Sequence, residues 1–359
     1  MKRASQTAIG IDFGGTKIEV ALACPNGTLL ARERLDTRAE LGPYQALERT
    51  AAAVHRLEAL SLEDHAAKVT GYAAVAPGIV QSDRILLTPN LPGWEDLALA
   101  RELQRLLDLD HLPAVGNDVR AGALAELRFG ALRGVDPGLY ISLGTGISAA
   151  VTIGGNVLAG ANQAAGEIAY VDPGLSSRGG SIHGPGAAPL EEIVGGKAIG
   201  ERASAELGEN MTAAELFARV ANGNDGDGNT RAHAIVRETL EALARSIANI
   251  SVLIDPELVV LGGGMMASAD VILPALREHL AAAVPFPPRV APAHFTRDAS
   301  LHGAVALALF DQGAATASAA CPPTALDVVR IPAAVPKTTA PGTPGPVEES
   351  QLTTGGTIS

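Results

Sequence analysis

The sequence predicts an α/β fold of two duplicated domains around a central cleft, and three observations carry that expectation. At 359 residues the chain is too long for one ordinary core and suits two domains of average size. Hydrophobic residues at 47% against 18% charged, with 40 Gly and 23 Pro, describe a globular α/β chain rich in turns. A strand, a Gly-Thr turn and a returning strand occur at residues 7–23 and again at 138–153, which reads as an internal duplication.

Residues 7–13 (TAIGIDF) form a short apolar run broken by Gly14-Gly15, and 18–23 (IEVALA) form a second, so the pair reads as a β-hairpin. Asn26-Gly27 adds a turn and with it a third antiparallel strand. Over 43–60, Leu47, Ala51, Val54 and Leu57 recur at helical spacing. A buried strand follows at 69–75. Pro77-Gly78 and residues 88–94 are loop-rich and carry the only Trp, and a helix is expected over about 97–107. Residues 113–115 form an apolar strand that leaves through Gly116-Asn117-Asp118 into a helix ending near 129. After it, 138–143 (GLYISL) is apolar, Gly144-Thr145-Gly146 turns, and 148–153 (SAAVTI) runs back.

Residues 160–189 are Gly-rich and largely irregular, a length that usually marks function inside a compact domain. Leu190-Glu191-Glu192 opens the next helix. Residues 222–229 (NGNDGDGN) look like a calcium loop, but Val236 stands where an EF-hand needs Glu, so a solvated connector is expected. A long helix over about 231–254 places Ile235, Leu240, Leu243, Ile247 and Ile250 on or near one face. A buried strand at 258–261 ends in Gly262-Gly263-Gly264, and a helix follows to about 283. A last strand is expected at 294–297 and a last packed helix from 299 to about 312. From about 315 the Ala/Thr/Pro/Ser-rich chain cannot build a core and is expected to be disordered. The domains are placed at 1–115, completed by the last helix, and at 116–298.

Composition excludes several functions. A formal charge of −12 argues against general affinity for nucleic acid or anionic lipid, which basic patches lead. Aromatics at 3% leave no stacking platform for single strands. Cys24 and Cys321 alone supply neither a disulfide framework nor a Cys-rich zinc site. No run of about 18 apolar residues occurs and the stretch before the first strand is too short for a secretory signal, so a cytoplasmic protein without a membrane partner is expected.

The chemistry is sought at the strand ends. Asp12-Phe13-Gly14-Gly15-Thr16-Lys17 sets a carboxylate before two glycines and a hydroxyl, and glycines let phosphate approach backbone N–H groups without a Cβ in the way. A plain Gly-Gly hairpin accounts for the same residues. Beside a triphosphate, the negative Asp12 implies Mg²⁺ between them, held through water. Gly144-Thr145-Gly146 repeats the device, and two such turns could face each other across a cleft. Neither is a Walker A loop or a dinucleotide fingerprint. Gly262-Gly263-Gly264, between strand and helix, could let adenosine lie against the backbone. Asn117-Asp118 at a strand-to-helix corner suits an N-cap, and between these turns Asp118 also suits a catalytic base.

Asp12 to Lys17, Asn90-Leu91-Pro92-Gly93-Trp94, Asn117-Asp118-Val119, Leu143-Gly144-Thr145-Gly146, Gly166-Glu167-Ile168 and residues 255–264 (DPELVVLGGG) together resemble the ROK family, which includes bacterial glucokinases. The resemblance covers about residues 7–312. It implies an actin-like ATPase fold, related to ribonuclease H, that closes on ATP, Mg²⁺ and a small-molecule sugar. It further implies that Asp118 takes the proton of a sugar hydroxyl, that Asn117 orients the sugar, and that Glu167 and Glu191 accept its hydroxyls. Gly78 and Asn90 would line the sugar side, and a homodimer is the assembly the family often forms.

Departures from the pattern are local. Glu167-Ile168-Ala169-Tyr170 stands where family kinases commonly read Glu-x-Gly-His, so Tyr170 brings a phenol to the sugar side in place of imidazole. The three-cysteine zinc motif is missing, no structural zinc is expected, and the lone His183 reads as a surface residue. Arg120 stands where relatives often carry a small or amide residue, and reads either as a solvated helix position or as a contact to a charged substrate. The leading expectation is ATP-dependent phosphorylation of a hexose or amino-hexose. A sugar-sensing ROK domain without catalysis or a DNA-binding module is the alternative, and polyphosphate as donor would call for a basic channel that the acidic sequence lacks.

Overall fold

The computed structural model describes residues 6–88, 91–174, 187–223 and 227–310. Asn90, His183 and the tail from 315 lie outside the described residues. The first apolar runs become β1 (Gln6–Phe13) and β2 (Lys17–Ala23), paired antiparallel so that Phe13 faces Ile18 and Asp12 faces Glu19. β3 (Leu29–Asp36) adds antiparallel to β2, and its alternating exposed and half-buried positions suit an edge strand with one wet face. α1 (Pro43–His65) begins with proline at its first position, where a missing N–H costs nothing, and buries Leu47, Ala51, Val54 and Leu57. β4 (Lys68–Ala76) returns parallel to β1. A small hairpin, β5 (Ile79–Val80) and β6 (Ile85–Leu86), and α2 (Leu99–Leu106) lead to β7 (Ala114–Asn117), which is parallel to β4.

The chain then passes through α3 (Asp118–Phe129) into β8 (Gly138–Leu143), β9 (Ile147–Ile153) and the short β10 (Asn156–Val157). Four helices follow: α4 (Glu191–Val194), α5 (Gly196–Leu207), α6 (Ala213–Ala221) and α7 (Asp227–Ile254). β11 (Leu258–Gly262), a 3₁₀ turn at Gly264–Ser268, α8 (Ala269–Ala283), β12 (Arg289–Pro292) and α9 (Ala299–Phe310) complete the described chain. The first sheet has the order β3-β2-β1-β4-β7 and the second β10-β9-β8-β11-β12. In each, the first three strands pair antiparallel and the last two add parallel.

Each sheet packs its helices into a separate apolar cluster. In the first, Ile9, Ile11, Ile18 and Val20 meet Leu47, Val54 and Leu57 of α1, and Phe13 lies 5.0 Å from Trp94 between ring centroids. In the second, Leu139, Ile141, Val259 and Leu261 meet Ile235, Leu243 and Ile247 of α7. α9 and α3 pack together, with Ala304, Ala121 and Val75 in one buried group. This contact brings the corner at Asp118 beside the end of β1.

Three sequence expectations need correction. The last strand is Arg289–Pro292, not 294–297, which forms a loop. Prolines at 287, 288 and 292 hid a strand that an edge position tolerates, since only β11 pairs with it. α7 begins at Asp227, so part of the expected connector is helical. α6 was missed, although Thr212 and Glu215 form a reciprocal capping box that its sequence displays. Among the described residues no helix is long and apolar enough to cross a membrane.

Candidate active site

β7 delivers Asn117 to the start of α3 in extended conformation, and its side chain caps the helix. Asn117 Oδ1 accepts from the N–H groups of Val119 and Arg120 at 2.9 and 3.0 Å, and Nδ2 donates to the Gly78 carbonyl at 2.9 Å. The N-cap reading of Asn117 therefore holds, which leaves one amide hydrogen for any other partner. Gly78 has φ 93°, and a Cβ there would stand 2.5 Å from the Leu86 carbonyl, so the turn into β5 requires glycine.

Asp118 follows the cap and lines a cavity of about 410 Å³ with Lys17, Tyr140, Ser142, Gly263, Gly264 and the stretch from Phe295 to Ser300. Burial pushes its carboxyl above the ordinary aspartate value, opposed by backbone N–H groups, including Val119 at 2.9 Å, and by the Arg120 charge. Asp12, at the end of β1, is pushed up to about 7. Burial is the main cause, the Ser300 hydroxyl donating at 2.6 Å opposes it, and the charges of Asp118 and Glu19 add to it. Two desolvated carboxylates thus lie near each other, Asp118 lining the cavity and Asp12 bonded to Ser300, which lines it.

Asp12 makes folding pH-dependent in a direction that can be checked. A carboxyl raised in the folded state contributes most below its unfolded value of about 3.8, and that contribution is lost as pH rises through about 7. Asp12→Asn removes the ionisation and keeps an acceptor for Ser300. In thermal melts of the unliganded protein, the variant is expected to be the more stable at pH 8, by about 2–4 kcal/mol, with the gap closing toward pH 4. A gap that does not change with pH contradicts this.

The two glycine turns are shaped by contacts on both sides. Gly14 N–H donates to the Lys17 carbonyl at 2.9 Å, and its own carbonyl accepts the Thr37 hydroxyl at 2.6 Å. Gly15 is half-buried, and Thr16 and Thr145 are exposed at the turn tips. In the second turn Gly144 N–H donates to the Gly146 carbonyl, while Gly196 and Lys197, at the start of α5, donate to the carbonyls of Gly144 and Thr145. Gly263, at φ 92°, abuts the Leu143 carbonyl so closely that a Cβ would stand at 2.4 Å. The Gly262 to Gly264 corner and the Gly144 turn are therefore neighbours. Lys17 is already engaged, donating at 2.6 Å to Glu19, which Arg32 also holds at 2.7 Å.

Of the remaining expected residues, Glu167 feels the charges of Arg120, Asp118 and Glu191. Its carboxyl is raised by burial, lowered by the first of these and raised by the other two. Glu191 Oε2 accepts the Ile147 N–H at 3.0 Å and fills the space where a Cβ on Gly146 would lie. Tyr170 sits one 3₁₀ turn after Glu167 and is half exposed. Arg120 is buried, which removes the solvated-helix reading.

Sequence reading missed the stretch from Phe295 to Ser300, a loop that runs into the first turn of α9. Three contacts fix it: Phe295 N–H on Glu126 Oε1 at 2.8 Å, Asp298 on Arg32 at 3.0 Å, and Ser300 on Asp12. Glu126 is fully buried and also accepts the Ala131 N–H at 2.7 Å. Removing it leaves two part-buried donors without this acceptor, so Glu126→Ala is expected to cost about 1–3 kcal/mol of stability. Thermal melts check this, and a melting temperature equal to that of wild type would show that Glu126 does not hold the two segments together.

Among the described residues no three His, Cys, Asp or Glu side chains converge on a metal position. Asp12 fits a magnesium ion otherwise held by water and phosphate, because a cation there would relieve the repulsion from Asp118.

Comparison with known proteins agrees with this geometry. The pattern described as "ROK family" matches residues 8–310. N-acetylmannosamine kinase from Escherichia fergusonii is 33% identical over 307 residues, covering 84% of this chain and 98% of the relative. Among solved structures, the ROK hexokinase from Thermus thermophilus is 27% identical with a TM-score of 0.71, covering 85% of this chain and 98% of its own. The ROK family glucokinase from Streptomyces griseus, solved with glucose and AMPPNP, has a TM-score of 0.63 at 24% identity, covering 84% and 99%, and speaks to the fold alone. The mixed α/β sheets are those of the actin-like ATPase fold that these kinases share. With the pattern spanning nearly all the described chain and relatives aligned along almost their full length, the chain belongs to the ROK family.

Proposed function

We propose that the chain is a sugar kinase that transfers the γ-phosphoryl group of ATP to a hydroxyl of a hexose or amino-hexose, with Asp118 as general base. The observation that carries this reading is the position of Asp118. It lines the cavity shared with Lys17, Gly263 and Gly264, and its charge is felt by Glu167 and Arg120 on the other side. The two sheets, with strands in the same order, are read as copies of one unit whose Gly-Thr turns share the nucleotide.

In this reading the phosphates lie on Gly14, Gly15 and Thr16 and on Gly144, Thr145 and Gly146, with adenosine against Gly262, Gly263 and Gly264. Glu167 and Glu191 accept sugar hydroxyls, the free Asn117 amide hydrogen donates to one, and Gly78, Asn90 and Tyr170 border the ring. Asp118 accepts the proton of the attacking hydroxyl as the sugar oxygen bonds to γ-phosphorus and the bond from γ-phosphorus to the bridging oxygen breaks, which releases ADP. Magnesium, held through water by Asp12, would supply charge neutralisation at the phosphates. Kinase names among relatives at 33% and 27% identity support phosphoryl transfer, and the N-acetylmannosamine kinases put amino-hexoses among the acceptors to try.

A coupled assay of ADP formation across hexoses and amino-hexoses tests the proposal. Turnover that depends on one of these sugars is expected. Sugar binding without turnover on any of them would favour the sensing reading instead.

A further inference from the structure

Arg120 is the third residue of α3, 8% exposed, and buried guanidinium groups are costly unless their charge and donors are met. Burial lowers its proton affinity, while Glu167 and then Asp118 favour its charged form. Neither carboxylate forms an ion pair with it within 4.0 Å among the described residues. The hydrogen bond it does make is to backbone: Nη1 donates to the Gln163 carbonyl.

That carbonyl belongs to a tight loop. Gln163 is left-handed at φ 59°, Ala165 N–H donates to the Ala159 carbonyl at 3.1 Å, and Gly166 carbonyl accepts the Ala149 N–H at 2.8 Å. Gly166, at φ 96°, lies so close to the Ala149 carbonyl that no Cβ fits. The loop ends in Glu167. Its tip is held a second time by Gln81, after β5, whose Nε2 donates to the Asn162 carbonyl at 3.2 Å. Arg120 therefore connects the helix that begins at Asp118 to the loop that carries Glu167.

We infer that Arg120 is the positioning residue of the sugar side, fixing the Gln163 carbonyl so that the Glu167 carboxylate stands opposite Asp118, and sharing its charge between the two. This rests on the kinase reading above. It also answers the sequence's open question about Arg120. Glu167 and Asp118 set two carboxylates against one guanidinium, which the Gln163 carbonyl also engages, so the group is not free to recruit an anionic substrate, and the site suits an uncharged sugar.

The test uses Arg120→Met and Arg120→Lys in the full chain, with steady-state kinetics for both substrates and calorimetric titration of the best wild-type sugar without ATP. Arg120→Met is expected to weaken sugar binding about 10- to 100-fold, the scale of a lost charge-assisted hydrogen bond, with KM for ATP within about twofold of wild type. Arg120→Lys keeps the charge but not the planar fork, so about 3- to 10-fold weakening is expected, again without change toward ATP. A purely structural role would move both KM values together or lower only the melting temperature, and either result overturns the inference. So does wild-type sugar affinity in whichever variant folds, or efficient use of a sugar acid by the wild type. If the wild type binds a sugar but does not turn it over, the kinase reading fails while the calorimetric comparison still tests Arg120.

Discussion

Asp118→Asn is expected to lower kcat for sugar phosphorylation about 10²- to 10⁴-fold while sugar binding is retained. The substitution keeps the size and the acceptor oxygen that receives the Val119 N–H, so the start of α3 is preserved. What it removes is the ability to take a proton. The carboxyl lies above the ordinary aspartate range through burial, opposed by backbone N–H groups and Arg120, which suits a base that holds the hydroxyl proton in the transition state. In wild type kcat/KM should therefore fall on acidification at a pH above that of a free aspartate. Stopped-flow or coupled kinetics with parallel calorimetry separates the two effects. A variant that loses affinity for sugar in proportion to kcat would instead show a binding role.

Gly303→Val should damage the fold severely. Gly303 lies within α9, and a Cβ there would stand 2.0 Å from the Ala121 carbonyl and 2.7 Å from its Cα. These are backbone atoms of α3, which cannot swing aside as a side chain tip can. Similarly, Gly10 of β1 lies against the backbone of Val305, so α9 is held from two sides. Separating the helices would open the group formed by Val75, Ala121 and Ala304. Overpacking of this kind costs about 3 kcal/mol or more, a drop of several degrees at least in melting temperature. Gly264→Ala is the control, because a Cβ there meets nothing within 4 Å. Equal melting temperatures for Gly303→Val and wild type would contradict the close helix contact. Since α3 carries Asp118 and the first turn of α9 carries Ser300, partial unfolding here should remove activity as well.

Features set by local chemistry were legible in the sequence. Both strand, Gly-Thr turn, strand units lie where their apolar runs placed them, because period-two patterning and Gly pairs act over a few residues. The same holds for the corner at Asn117, whose cap is a local device. β12 was misplaced because three prolines obscured an edge strand whose partner, β11, lies far back in the chain. The site divides in the same way. Lys17, Asp118 and the glycines at 263 and 264, which line the cavity, are motif residues that the sequence names. The Ser300 contact with Asp12 spans 288 residues and the Glu126 contact with Phe295 spans 169, so neither has a local signature. Arg120 read either as a solvated helix position or as a contact to a charged substrate because nothing within its own turn announces burial; the loop it bonds to arrives 43 residues later.

The central claim is that one carboxylate, at the junction of the nucleotide cavity and the sugar side, enables phosphoryl transfer. Phosphorus NMR of ATP, magnesium and the preferred sugar, followed with wild type and with Asp118→Asn at sugar-saturating concentration, tests it most directly. The account predicts a sugar phosphate ester growing with ADP in the wild-type sample and a rate at least about 100-fold lower with the variant. Ester formation at comparable rates in both samples, or none with wild type, would contradict it.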